Sequence, residues 1–139
     1  MRLLLAALAA SASLAFAQSG PRETARQLVA LLAEGKVEEA AALSNHPVRR
    51  REVLEAYRKE VGDEEFRRIY ARYREGRIVE EIAEGRHRLL IWDLGHVAGQ
   101  FFVEKDGRYL LDDEPSAARD KLRRALADYR DARASGRKD

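Results

Sequence analysis

The chain has 139 residues and no cysteine, which excludes disulfides, thiolate metal sites and cysteine nucleophiles. Its 26 basic and 24 acidic residues nearly cancel, to a formal net charge of +2, unlike the one-sided basicity of a nucleic-acid binder. Its length suits a single globular domain.

The first residues, MRLLLAALAASASLAFAQ, carry a positive charge at Arg2 and then an uncharged run from Leu3 to Ala17. A short basic start, an apolar middle and small residues at Ala15 and Ala17 form the layout of a secretory signal peptide, with cleavage expected between Ala17 and Gln18. The run is shorter than the about 20 apolar residues that a bilayer crossing needs, so no membrane span is expected. The predicted organisation is a cleaved signal peptide over 1–17, a single α+β domain over 18–131 and a flexible polar tail over 132–139. The expected location is secreted or periplasmic.

Four short helices are predicted next. Pro21 suits a first helical position; Ala25, Leu28, Val29 and Leu32 then share a face until Gly35 stops the run. A shorter helix places Val37, Ala40, Ala41 and Leu43 inward. Pro47, after Asn45 and His46, restarts a helix whose apolar stripe is Val53, Leu54, Tyr57 and Val61, ending at Gly62. Asp63 caps the fourth, in which Phe66, Ile69, Tyr70 and Tyr73 recur at three- and four-residue steps before Gly76. Helices this short are marginal alone, so they must pack on something else.

That partner begins at Arg77. RIVEEIAEG and RHRLLIWDL read as strands divided at Glu84-Gly85; HVAGQFFVEK and RYLLDD are divided at Asp106-Gly107, a strong two-residue hairpin signal. Pro115 then opens a last helix with Ala118, Leu122, Ala125, Leu126 and Tyr129 on one face. The fold class is α+β: N-terminal helices packed on a curved four-stranded antiparallel meander, followed by a C-terminal helix.

With Asp106-Gly107 as the turn, Val103 opposes Leu110 and Phe102 opposes Leu111, on opposite faces of the sheet. Both faces are then apolar, and the one turned away from the N-terminal helices needs a cover. The C-terminal helix, a small apolar ligand, or a second subunit or protein partner would each serve.

Three histidines invite a test for a site. If Leu94-Gly95 turns the chain, His96 opposes Asp93, and the two make a weak acid–base candidate, since a carboxylate can orient an imidazole. His87 lies about 20 Å from Asp93 along the strand, too far to share a ligand with it. No three or four residues are spaced as metal ligands, so no metal and no cofactor is expected. Arg49, Arg50 and Arg51 either start a helix or meet an anionic head group. Tyr57, Tyr70, Tyr73 and Trp92 either fill the core or line an apolar ligand pocket with polar tips.

The element order, the early Leu32, Gly35 and Ala40 pattern, and the late hairpin of Val103, Asp106, Gly107, Tyr109, Leu111 and Asp112 together resemble the nuclear transport factor 2-like (cystatin-like cone) superfamily. The likeness is to its small secreted bacterial domains of unknown function and covers roughly residues 22 to 115. The resemblance implies a conical sheet around helices, an internal cavity and frequent dimers through the outer sheet face. Enzymatic members are isomerases and dehydratases, but none of their catalytic motifs maps onto this chain. The sequence reading is a non-enzymatic binding or interaction domain with a small apolar-ligand cavity. A cavity enzyme and an envelope lipid-binding protein are the alternatives.

Overall fold

Five helices and a four-stranded antiparallel sheet make up residues 20–136, the part of the chain described by a computed structural model. The expected leader and its cleavage point lie outside the described residues. The helices are α1 (Pro21–Ala33), α2 (Val37–Ala41), α3 (Pro47–Val61), α4 (Asp63–Glu75) and α5 (Ala117–Ala134); the strands are β1 (Arg77–Glu84), β2 (His87–Asp93), β3 (Val97–Lys105) and β4 (Arg108–Leu111). No helix among the described residues is long and apolar enough to cross a membrane.

The predicted faces of α1 and α2 are the buried ones: Ala25, Leu28, Val29 and Leu32 on α1, Val37, Ala40 and Ala41 on α2. On α3 only Leu54 is buried, and Val53, expected inward, is 49% exposed. This helix packs on α2 and α4 at the rim of the domain, so a narrow stripe suffices. Gly62 (φ +91°) ends α3 and is the only residue between α3 and α4. At that positive φ a single residue joins the two helices, a conformation that a side chain would strain. On α4, Phe66 is buried and heads an aromatic row through Tyr70 and Tyr73 to Trp92.

The strands pair in the order β1-β2-β3-β4, the predicted meander. The last hairpin has the predicted register, with Lys105 opposite Arg108, Val103 opposite Leu110 and Phe102 opposite Leu111. Asp106 and Gly107 both take positive φ, which matches the right-handed strand twist. The β2–β3 turn differs from expectation. Asp93 pairs with Val97, so Leu94, Gly95 and His96 all lie in the loop, closed by the Leu94 N–H donating to the His96 carbonyl.

β2 is buried on both faces, with Leu89, Leu90 and Ile91 at 0% exposure and Trp92 at 1%. Leu90, Trp92, Phe102 and Leu111 join α1, α2, α3 and α4 in one core. Leu89 and Ile91 form a second core with Leu122 and Leu126 of α5, flanked by Val79, Ile82, Val97 and Phe101. Of the three covers expected for the second face, α5 fills the role, lying across β1, β2 and β3. Burying each of these large side chains is worth about 1.5 to 3 kcal/mol, which a bare sheet face would forfeit. That stretch of sheet is not available to a second subunit.

Two details fix α5. Ser116 caps it, its Oγ accepting the Arg119 N–H at 3.0 Å. Gly99 on β3 lets it come close: a Cβ there would lie 2.5 Å from Leu126 Cδ2. The helix runs to Ala134, so Ala132, Arg133 and Ala134, placed in the expected flexible tail, are helical.

Candidate functional site

The chain leaves the sheet at Leu111-Asp112-Asp113, and the α2–α3 linker runs beside it. Ser44 and Leu111 form a parallel bridge, with the Asn45 N–H donating to the Leu111 carbonyl (2.9 Å) and the Leu111 N–H to the Leu43 carbonyl (2.8 Å). This register sets Ser44 and Asn45 against two carboxylates that are almost fully buried, Asp112 and Asp113 at 4% and 6% exposure. A buried carboxylate is tolerated only when charges and donors compensate it.

Both are compensated. Asp113 accepts from both Nε and Nη2 of Arg50, a forked pairing, and from the Ser44 hydroxyl. Its backbone N–H donates to Asn45 Oδ1 at 2.7 Å. Burial by itself would push the Asp113 carboxyl up; the hydrogen bonds from Arg50 and Ser44, with the added attraction of the Arg50 and Arg119 charges, outweigh it and hold the group below its ordinary value. Asp112 accepts from Asn45 Nδ2 (2.9 Å), the Glu114 N–H (3.2 Å) and His87 Nδ1 (3.1 Å). An ionised carboxylate only accepts, so its bond with His87 requires the imidazole form that carries a proton on Nδ1.

Beside this cluster lies a cavity of about 190 Å³ between the helices and the sheet. Leu28, Leu32, Leu54, Leu111, Gly99 and Phe101 give it apolar walls; Arg50, Arg119, Tyr70, Tyr73, Gln100 and Asp112 give it polar ones. Gln100 is oriented by Trp92, whose indole N–H donates to Gln100 Oε1 at 2.8 Å. With its oxygen so engaged, Gln100 keeps its amide N–H groups as donors.

Burial, then the neighbouring Tyr73 and Tyr57, pushes Tyr70 up to about 12, although the Arg50 charge opposes the rise; burial pushes Tyr73 up as well. Both hydroxyls stay protonated at neutral pH. A tyrosinate absorbance titration is expected to show Tyr70 ionising about two units later than an ordinary tyrosine near 10. The unfolded chain releases that proton near pH 10 while the folded one holds it, so Tyr70's share of stability is full below about 10 and falls away as pH rises toward 12. Ionisation of all five tyrosines near 10 in the folded protein would contradict this burial.

The predicted site residues fare unevenly. Tyr70 and Tyr73 line the cavity. Trp92 reaches it through Gln100 and is otherwise core, and Tyr57 packs edge-on against Phe66 at 6.0 Å. Asp93 and His96 do not make a dyad: the carboxylate accepts the Gly95 N–H at 3.0 Å inside the loop, and His96 is exposed. The extra loop residue shifts the register and separates them. His87 instead pairs with Asp112. The basic run is used within the chain, with Arg49 donating to the Asp113 carbonyl, Arg50 held by Asp113 and Arg51 by Glu38 at 3.3 Å. His46 starts α3, its Nδ1 accepting the Arg49 N–H.

Sequence reasoning missed Ser44, Asn45, Asp112, Asp113 and Arg119. The doublet of aspartates ending a strand was a visible signal, but its partner Asn45 lies 68 residues away from Asp113. No group of three or more His, Asp or Glu side chains among the described residues is placed to hold a metal ion. No protein-family model, curated protein or solved structure matches this chain.

Proposed function

We propose that this protein is a non-enzymatic small-ligand-binding domain acting outside the cytoplasm, related to the nuclear transport factor 2-like cone. The location rests on the leader-like N-terminus, and the kinship on helices preceding an antiparallel meander. The observation that carries the reading is the cavity: one side apolar, the other rich in donors, at the junction of the helices and the sheet.

The reading is tested by amide NMR with a panel of one-ring and short-chain compounds that are anionic, neutral and cationic. Cross-peaks of Gly99, Gln100 and Arg119 are expected to move saturably with at least one class. A folded protein whose cavity amides ignore every class would sink the proposal.

A second reading, a cavity acid–base enzyme, draws on the His87–Asp112 pair. It is weaker because Asp112 already accepts three hydrogen bonds, leaving little free capacity to take a substrate proton. An envelope lipid binder is weaker still, because the arginines that would meet head groups are paired within the chain.

A further inference from the structure

Within that cavity Arg119 stands apart. Its guanidinium lies over the Phe101 ring, 5.9 Å from the centroid, and its Nε is the one buried side-chain N or O atom among the described residues without a hydrogen-bond partner. Arg50, the other guanidinium on the wall, is committed to Asp113. A buried donor left unpaired is costly, and native structures nearly always supply an acceptor from protein, water or ligand.

The geometry points to a small monocarboxylate with an apolar body as the ligand, its head group on Arg119 and its body against Leu28, Leu32 and Leu54. Four observations agree. A guanidinium offers a planar fork that matches a carboxylate. The protonated Tyr70 and Tyr73 hydroxyls and the Gln100 amide add neutral donors to the same cavity. The one carboxylate on its wall, Asp112, has its oxygens engaged by Asn45, Glu114 and His87. The volume of about 190 Å³ suits one ring and a head group, since about 150 Å³ accommodates benzene. The formal charges of Arg50, Arg119, Asp112 and Asp113 cancel, so recognition comes from the unpartnered Arg119 Nε and the neutral donors beside it rather than from a positive field.

This inference rests on the cavity being a ligand site, and the experiment separates the two. Benzoate and its neutral counterpart benzyl alcohol are titrated into the purified protein, read by the amides of Gly99, Gln100 and Arg119. Benzoate is expected to bind at least about tenfold more tightly, the worth of a charge-assisted hydrogen bond. In Arg119→Met, which keeps an unbranched side chain over Phe101, that preference should vanish while benzyl alcohol binding persists. Arg119→Lys should fall between the two. Equal binding of both probes by the native protein would overturn the carboxylate assignment and leave the ligand-binding reading standing. No binding of either probe, with melting temperature unchanged, would overturn the assignment as well. Benzoate preference surviving in Arg119→Met would overturn the placement of the head group on Arg119.

Discussion

Asp113→Asn is expected to lower the melting temperature by about 10 °C, a loss of roughly 2 to 3 kcal/mol. Asp113 joins three segments: Arg50 on α3, Ser44 in the α2–α3 linker and the end of β4. The amide removes the charge that balances Arg50 and can accept at one oxygen only, so the guanidinium or the Ser44 hydroxyl loses its partner. Arg50→Met leaves a carboxylate that is 94% buried without its cation and should cost as much or more. The double variant should cost clearly less than the sum, because the two groups share one interaction. Thermal melts of the four proteins check this. Strict additivity, or a loss under about 0.5 kcal/mol for Asp113→Asn, would mean the pair is screened by solvent.

The same pair has a pH signature. Asp113's folded-state value lies below its ordinary one, so its contribution is fully present above about pH 3.9, where an unfolded aspartate is ionised. It is lost as pH falls through the depressed folded value. Acid melting curves of the native protein and Asp113→Asn should therefore converge only below about pH 3.9.

The second large effect concerns α5. Leu126→Ala should cost about 2 to 4 kcal/mol, since it empties the second core where Leu126 meets Leu89, Ile91 and Leu122. Gly99→Ala should cost about 1 to 3 kcal/mol, because the new Cβ would sit 2.5 Å from Leu126 Cδ2 and push the helix off the sheet. With Leu126→Ala already in place, the methyl at position 99 should cost little or even stabilise by filling the vacancy. Equal cost of Gly99→Ala in both backgrounds would show that the glycine is needed for some other reason than this approach.

Much of the architecture was legible in local sequence. The three- and four-residue spacing of Ala25, Leu28, Val29 and Leu32 fixes the inward face of α1, because helical periodicity leaves no other stripe apolar. Asp106-Gly107 pins the last hairpin, because few residue pairs adopt two consecutive positive φ angles, and the register follows by counting outward. The β2–β3 turn was misread for the same kind of reason. Leu94-Gly95 is a weaker signal than Asp-Gly, and one added loop residue converts an expected pairing of Asp93 with His96 into one of Asp93 with Val97.

By itself the sequence determined the element order, the antiparallel meander and the apolarity of both faces of the last hairpin, since each rests on neighbours a few residues apart. Only the tertiary structure decided that α5 covers the second face, that Ser44 and Asn45 meet Asp112 and Asp113, and that Arg119 lies over Phe101 with its buried Nε lacking an acceptor. These pairings join residues distant in sequence, and no local pattern encodes which charged side chain the packing of layers carries inward.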